Sequence, residues 1–347
     1  GERRAGSLLR SPWEARDAYV EVVLDRSPER TGRFLRDHAG DDLPPDRRLE
    51  ALELLELQRA MVLAYTSCGW FFDDVSGIET IQVLQYAARA LELARARLGL
   101  DLEPRFLDRL ADAESNVAAE RTGRTVYERA VRPARVDLAR AAAHAIVGAM
   151  FEVDGAPALA RCFEFAVDDW RVARSARPRH ASGLVRVTDR RTGAHDRFEA
   201  AAIHLGGPNL LAGVRRAGPA AAATTPDLQA VRESLDAGEI ATIVRQFESA
   251  FPDERLSVAS LLRDVRRDVT RRLLHDALHD VEVAFERLYR QHAATLRMLA
   301  GSGVPLPGAL RETARFALIG SLRRTLGGCR TFAETEPTED GIKEAHA

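Results

Sequence analysis

Residues 76–99 read SGIETIQVLQYAARALELARARLG, and this stretch decides the class of the fold. Ser76 followed three residues later by Glu79 has the pattern of a capping box, which begins a helix. Gly99 stands where such a helix would end. Apolar residues recur between them at helical spacing, namely Ile78, Ile81, Leu84, Ala88, Leu91 and Leu98. We therefore predict one long amphipathic helix.

The segment immediately before this helix, residues 65–77, reads YTSCGWFFDDVSG. Three adjacent aromatic residues precede two carboxylates, Asp73 and Asp74, and the pattern fits neither a strand nor an amphipathic helix. One reading is a loop that offers aromatic faces and carboxylate acceptors to a sugar or a base. In the other reading the aromatic rings fill the core and the carboxylates face water. Residue types alone favour the second reading, because large aromatic residues dominate core energetics.

Further helices are predicted on both sides of this segment. Proline or serine–proline pairs mark several of their starts, and glycine marks some of their ends. The predicted spans are 12–26, 28–39, 45–65, 104–116, 133–150, 258–300 and 308–327. The helix at 258–300, with Ser257 as its cap, would be on the order of 60 Å long at 1.5 Å per residue, so we expect it to form a spine of the bundle.

Between residues 159 and 216 the pattern changes to period two. Phe163, Phe165 and Val167 alternate with polar or small residues, and Val185 and Val187 do the same. The turn signal at 191–193 separates two such stretches. We therefore predict two or three antiparallel hairpins that form a small sheet.

These patterns predict a mainly α-helical fold of the α+β type, a helical bundle with a small antiparallel β-sheet insertion. The predicted division is a first bundle part at 1–158, the sheet insertion at 159–216, a second bundle part at 217–332 and a disordered tail at 333–347. The first residues of the second bundle part, 217–227, have the composition of a linker.

Composition excludes some classes of function. The chain of 347 residues has 50 basic and 52 acidic side chains, so it lacks the basic surplus of a nucleic-acid binder. No apolar run approaches the roughly 18 residues of a membrane helix. Three widely spaced cysteines indicate a reducing compartment, and we expect the cytoplasm. No Walker loop or dinucleotide fingerprint is present, and no cofactor is expected.

Three other motifs have weaker functional readings. His275 and His279 are four residues apart and could hold zinc with a third ligand, but exposed histidines on a helix are the favoured reading. Asp168 and Asp169 would point to opposite faces of a strand, so they are not expected to share a site. The glycine pair 206–207 is read as a turn between strands. We predict no metal site.

The chain also resembles a known family. Residues 65–94, YTSCGWFFDDVSGIETIQVLQYAARALELA, with the preceding LLELQRAMVLA, are similar to the C-terminal region of bacterial proteins in glycoside hydrolase family 57. These proteins are α-amylase-like and α-mannosidase-like, and in one subgroup a long domain of unknown function follows the catalytic barrel. Similar segments include PWEARDAYVEVVLDRSPE, LEPRFLDRLADAESN, IHLGGPNLLAGVR and GVPLPGALRETARFAL, so the resemblance covers roughly Pro12 to Leu326.

The resemblance implies that this chain follows a catalytic barrel that carries a glutamate nucleophile and an aspartate acid/base. It implies no catalytic residue in the chain itself. Family members offer an aromatic motif, roughly Ser-Asp-Trp-Phe-Trp, to the substrate cleft. Trp70 and Phe71 match its Trp and Phe, whereas Cys68 and Gly69 replace its Ser and Asp.

The expected function is therefore a non-catalytic helical domain of a family 57-like glycoside hydrolase that acts on α-glucans. Its expected partners are the catalytic barrel of the same polypeptide and an α-glucan or oligosaccharide, with no nucleic acid and no membrane. The expected substrate-binding residues are Trp70, Phe71, Asp73, Asp74 and Tyr65. The alternative is a structural or protein-interaction module whose aromatic motif lies in its core.

Overall fold

A computed structural model of the chain describes most of its residues. The residues outside the description are 1, 40–42, 153–156, 174–177, 219–225, 238, 253, 304 and 331–347. The predicted tail at 333–347 and most of the predicted linker at 217–227 lie outside the described residues. The described chain forms two compact units, Gly1–Val269 and Thr270–Ala347.

The first unit begins with helices and short turns. The helices before the sheet are α1 (Glu2–Ala5), α2 (Pro12–Ala18), α3 (Val20–Leu24), α4 (Pro28–Ala39), α5 (Pro45–Ala64), α6 (Ile78–Leu98), α7 (Glu103–Leu110), α8 (Gly123–Val126), α9 (Leu138–Phe151) and α10 (Pro157–Cys162). A 3-10 turn, Ser67–Trp70, precedes α6, and a π-helical turn, Tyr127–Val131, follows α8. The mainly helical character predicted from the sequence is confirmed.

Several predicted helix bounds are confirmed and others are wrong. Helices α4 and α6 match their predicted spans, α5 ends one residue earlier than predicted, and Gly99 ends α6 in the left-handed region at φ 67°. The helix predicted at 104–116 ends at Leu110, because the following residues form a loop. The helix predicted from 133 begins only at Leu138, where the Asp137 carboxylate accepts a hydrogen bond from the Arg140 backbone N–H.

Helix α5 is buried on all sides over residues 50–57, including three glutamates, Glu50, Glu53 and Glu56. Buried carboxylates are costly unless they are paired. Each one is paired: Glu50 with Arg4 and Arg47, Glu53 with Arg97, and Glu56 with Arg26, Arg59 and the Tyr19 hydroxyl. These pairs fasten the preceding helices and α6 to α5, so α5 is the centre of the helical part of the unit.

The sheet follows these helices as an antiparallel meander. Its strands, in the order β1-β2-β3-β4-β5, are β1 (Phe163–Ala173), β2 (Arg179–Asp189), β3 (His195–His204), β4 (Leu210–Arg216) and β5 (Glu254–Leu256). The predicted small antiparallel sheet is confirmed, and β1 to β4 fall within the predicted segment 159–216. The short strand β5 is an addition that the sequence pattern did not indicate.

Both faces of the sheet are covered. Ala201 and Ile203 of β3 pack in a cluster with the helices α11 (Pro226–Ala237) and α12 (Ile240–Ala250). His204, which points to the opposite face because side chains alternate along a strand, lies against Phe151 of α9. The sheet is therefore the middle layer between α9 and the α11–α12 pair.

Close packing on the α12 face depends on Gly213 in β4. A Cβ atom built at Gly213 would lie 2.6 Å from the Phe251 ring, which is fully buried just beyond α12. Phe251 in turn contacts the Phe247 ring at a centroid distance of 4.9 Å. The absence of a side chain at Gly213 therefore allows this aromatic pair to approach the strand.

We predict that Gly213→Ala lowers the free energy of unfolding by about 1–3 kcal/mol, the range for overpacking in a core. Urea denaturation of the purified chain measures this change. Gly218→Ala is the matched control, because among the described residues beyond its chain neighbours no atom lies within 4 Å of the Cβ that it adds. Equal stability of the two variants would contradict this packing.

A buried histidine connects α9 to the segment that leads out of the sheet region. His144 is 1% exposed; its Nδ1 lies 2.7 Å from the Arg140 carbonyl oxygen, and its Nε2 accepts from the Leu262 backbone N–H at 2.9 Å. A carbonyl only accepts and an amide N–H only donates, so the ring is neutral with its proton on Nδ1. Burial lowers the pKa of His144 to about 4.

The stability contributed by neutral His144 should therefore depend on pH. Its pKa is depressed in the folded state relative to 6.5, so the unfolded chain binds more protons between these values. We expect stability to be complete above pH 6.5 and to fall by on the order of 3 kcal/mol as the pH drops toward 4.

The measurement is the stability difference between the wild-type chain and His144→Gln as a function of pH. Subtracting the variant removes the contributions of carboxylates that titrate in the same range. A difference that does not change between pH 7 and pH 4.5 would show that His144 is not the titrating group.

The second unit consists of the helix α13 (Arg263–Gly301) from residue 270 onward and the helix α14 (Gly308–Arg330). Phe285 and Phe316 stack between these helices with ring centroids 4.8 Å apart. Helix α13 begins five residues later than predicted, because Ser257 caps a 3-10 turn, Val258–Ser260, instead. The expected spine is only partly buried, since six of its large apolar residues are exposed: Leu274, Leu278, Val281, Val283, Leu288 and Met298.

Candidate functional site

The candidate site is the segment that joins α5 to α6, residues 65–77, which we call the aromatic loop. Tyr65 is 75% exposed, Phe71 is 81% exposed and Phe72 is 53% exposed. The rings of Phe71 and Phe72 meet edge to face at a centroid distance of 5.3 Å. The reading in which these rings fill the core is therefore wrong for Phe71 and Phe72, and the side chain of Trp70 lies outside the described residues.

Exposed aliphatic side chains flank the aromatic loop. Met61 and Val62 belong to the last turns of α5, and Ile78 is the first residue of α6. All three are exposed, Ile78 by 74%. Large apolar side chains that are exposed together commonly mark a surface that binds a ligand or a partner.

The Asp74 carboxylate fixes the shape of the aromatic loop. It accepts hydrogen bonds from the backbone N–H of Ser76 at 2.7 Å and from the Ser76 hydroxyl. It also accepts from the Ser115 hydroxyl, at 3.1 Å to Oδ2, and from the Asn116 backbone N–H. One carboxylate therefore closes a local turn and also binds a second loop.

The capping box predicted at Ser76 and Glu79 is wrong. Helix α6 has Gly77 as its N-cap, and a glycine has no side chain to offer. The Ser76 hydroxyl instead donates to Asp74. The local turn at the aspartate competes successfully for the serine hydroxyl, as Asx-type turns do at helix starts.

Asp73 and Asp74, which were both predicted to bind substrate, have different surroundings. The donors from Ser76, then those from Asn116 and Ser115, lower the pKa of Asp74 to about 2 and engage both of its oxygens. The Asp73 side chain is exposed, and within the described part of the chain no donor contacts its carboxylate. Asp73 is thus the carboxylate that remains available to a ligand.

Gly69 holds the aromatic loop close to α6. A Cβ atom at this position would lie 2.9 Å from Cγ2 of Val83, and the Thr80 hydroxyl donates to the Gly69 carbonyl at 3.3 Å. A side chain at this position would therefore displace the loop or Val83.

A second loop, residues 111–122, contacts the aromatic loop and was not found from the sequence. It is closed by an isolated bridge between Glu114 and Thr122 and by a hydrogen bond from the Ser115 N–H to the Arg121 carbonyl at 2.9 Å. Its contacts with Asp74 join residues about forty positions apart, and no local pattern in the sequence indicates such a pairing.

The weaker candidates gain no further support from the structure. His275 and His279 are exposed, and within the described residues no group of three potential ligands could hold a metal ion. Gly206 and Gly207 form the turn between β3 and β4 with positive φ angles, as predicted. Among the described helices, none is long and apolar enough to cross a membrane.

A small pocket lies between α1, α2 and α5. Its volume is about 60 Å³, and it is lined mainly by apolar side chains that include Leu9, Trp13 and Leu54. Pockets for organic ligands usually have about 300–1,000 Å³, so this one is too small for a sugar. The exposed aromatic loop remains the better candidate.

The family model that describes a domain of unknown function (DUF3536) matches residues 1–262. The match contains both loops of the candidate site and ends one residue before α13. No curated protein and no solved structure matches the chain.

We predict that Asp74→Ala loosens the aromatic loop while the helices remain folded, because it removes the acceptor for four donors. Hydrogen exchange should become faster at residues 65–77 and 114–117 but not in α5. Asp73→Ala is the matched control, since its carboxylate has no contact within the described chain. Equal exchange in both variants would contradict the structural role of Asp74.

Proposed function

This chain belongs to the family described as a domain of unknown function (DUF3536), and we propose that it is the non-catalytic helical part of a family 57-like glycoside hydrolase. In this proposal the chain packs beside the catalytic barrel of the same polypeptide. It supplies the aromatic loop as a subsite for an α-glucan, while the barrel carries the nucleophile and the acid/base. The proposed compartment is the cytoplasm, in keeping with the free thiols of Cys68 and Cys162.

The exposure of Phe71 on an ordered loop carries the proposal. Complete burial of a phenylalanine side chain contributes about 1.5–3 kcal/mol. Phe71 is 81% exposed, so a ligand that covers it could provide most of this free energy. A sugar ring that stacks on Phe71 or Tyr65 would remove apolar surface from water. The Asp74 hydrogen bonds order the loop before binding, which lowers the entropic cost of association.

The polar group next to these rings suits a carbohydrate. Asp73 follows Phe72 directly, and its carboxylate accepts hydrogen bonds without being engaged by the described residues. Sugars offer hydroxyl donors around an apolar ring face. The aromatic rings therefore match the apolar face of a sugar, and the carboxylate acceptor beside them matches its hydroxyl groups.

A second candidate function is a protein-docking surface. The exposed side chains of Met61, Val62 and Ile78 favour it, because aliphatic groups beside aromatic rings are typical of protein contacts and add little to sugar binding. In this case the aromatic loop would contact the catalytic barrel or another protein directly, and the isolated chain would not bind glucans.

We predict that Phe71→Ala weakens binding of maltoheptaose about tenfold, which corresponds to a loss of about 1.4 kcal/mol. The melting temperature should stay unchanged, because the ring is exposed. Isothermal titration calorimetry of the chain with maltoheptaose measures the affinity, and differential scanning calorimetry measures the melting temperature.

The matched control is Leu24→Ala, because Leu24 is 82% exposed but lies on α3, outside the aromatic loop. It should leave the affinity unchanged. Loss of affinity in both variants, or in neither, would overturn the proposed subsite. A wild-type chain that does not bind maltoheptaose would favour the protein-docking surface.

A further inference from the structure

We infer that the loop 111–122 is the second side of the proposed sugar site and that the Asn116 side-chain amide binds a sugar hydroxyl there. The inference rests on the proposed function, because it names a further binding residue of the same site. The sequence predicts Asn116 as the last residue of a helix, and the similar segment that contains it carries no binding role, so neither points to Asn116 as a ligand contact.

Two hydrogen bonds fix Asn116 against the aromatic loop. Its backbone N–H donates to the Asp74 carboxylate, and its side-chain Nδ2 donates to the Asp73 carbonyl oxygen at 2.8 Å. Because a carbonyl can only accept, the second bond determines which end of the amide is nitrogen. The Oδ1 atom is therefore the free end, and within the described chain no group donates to it.

The position of this free oxygen is favourable for a ligand. Asn116 is exposed and touches the backbone of Asp73, the residue that directly follows the exposed Phe72. Val117, the next residue of the second loop, is 46% exposed and adds an apolar contact. The second loop thus places an acceptor and an apolar group beside the aromatic loop.

The chemistry of these groups narrows the class of ligand. The Asn116 Oδ1 and the Asp73 carboxylate are both hydrogen-bond acceptors, and the carboxylate is negatively charged at neutral pH. Two acceptors match the hydroxyl donors of a neutral sugar. They disfavour a sugar phosphate, whose anionic oxygens would face a carboxylate.

The second loop is ordered independently of the Asn116 side chain. The Glu114–Thr122 bridge closes it, and the Val117 N–H donates to the Ser115 hydroxyl at 3.1 Å. The bond from Asn116 to Asp74 comes from the backbone, so it persists in an alanine variant. Asn116→Ala therefore removes the amide and its bond to the Asp73 carbonyl, and it leaves in place the bonds to Asp74 from the Ser115 hydroxyl and the Asn116 backbone N–H.

The test is calorimetric titration of the wild-type chain, Asn116→Ala and Ala118→Ser with maltoheptaose. Ala118 is an exposed residue of the same loop, so its variant controls for general effects of mutation. We expect Asn116→Ala to bind about five- to tenfold more weakly, as the loss of one hydrogen bond predicts, and Ala118→Ser to bind as the wild type does. Glucose 6-phosphate should bind to none of the three chains.

Hydrogen exchange at residues 65–77 accompanies the titration, because it separates a ligand contact from an effect on the loop. Unchanged exchange with weaker binding supports the contact, whereas faster exchange in Asn116→Ala means that the residue only positions the loop and overturns the inference. Equal affinity of Asn116→Ala and Ala118→Ser also overturns it, but leaves the proposed function standing if Phe71→Ala still loses affinity. Absence of binding by the wild-type chain overturns both.

Discussion

The arrangement of the candidate site depends on the hydrogen bonds that the Asp74 carboxylate accepts. It receives donors from its own turn, through Ser76, and from a loop about forty residues away, through Ser115 and Asn116. These donors stabilise the charged carboxylate and lower its pKa to about 2, so the contact persists at neutral pH. It therefore joins the aromatic loop to the second loop, 111–122.

The helices behind the aromatic loop provide a stiff support. Helix α5 carries three buried glutamates, each paired with arginine, and Arg26 extends one of these pairs to the Arg191 carbonyl at the β2–β3 turn. Removing one partner of a buried pair is more costly than the pair is stabilising, so such pairs specify the arrangement of neighbouring elements. Gly69 then brings the aromatic loop against Val83 of α6. The exposed rings therefore lie next to helices whose positions are determined by both packing and ion pairs.

The sequence predicted the helices and strands that are indicated by patterns of neighbouring residues. The apolar spacing and Gly99 identified α6, and alternation identified the sheet region through β1 and β2. It failed where a competing hydrogen bond, local at Ser76 and long-range at Asn116, decided the outcome. Ser76 has the pattern of a helix cap, but Asp74 engages its hydroxyl, and Asn116 entered the site from a loop that was predicted to be helical. Residue types also favoured a buried position for Phe71, because phenylalanine usually lies in the core. This general tendency does not identify the individual rings that remain exposed, and Phe71 is one of them.

The central claim is that the rings of the aromatic loop face solvent in the free chain and are covered by an α-glucan when it binds. Hydroxyl-radical footprinting with mass spectrometry tests this claim most directly, because it reports the exposure of individual side chains. Tyr65, Phe71 and Phe72 should oxidise rapidly in the free chain and be protected by maltoheptaose, while exposed Leu24 should oxidise at the same rate in both states. Slow oxidation of these rings in the free chain, or rates that maltoheptaose leaves unchanged, would contradict this claim.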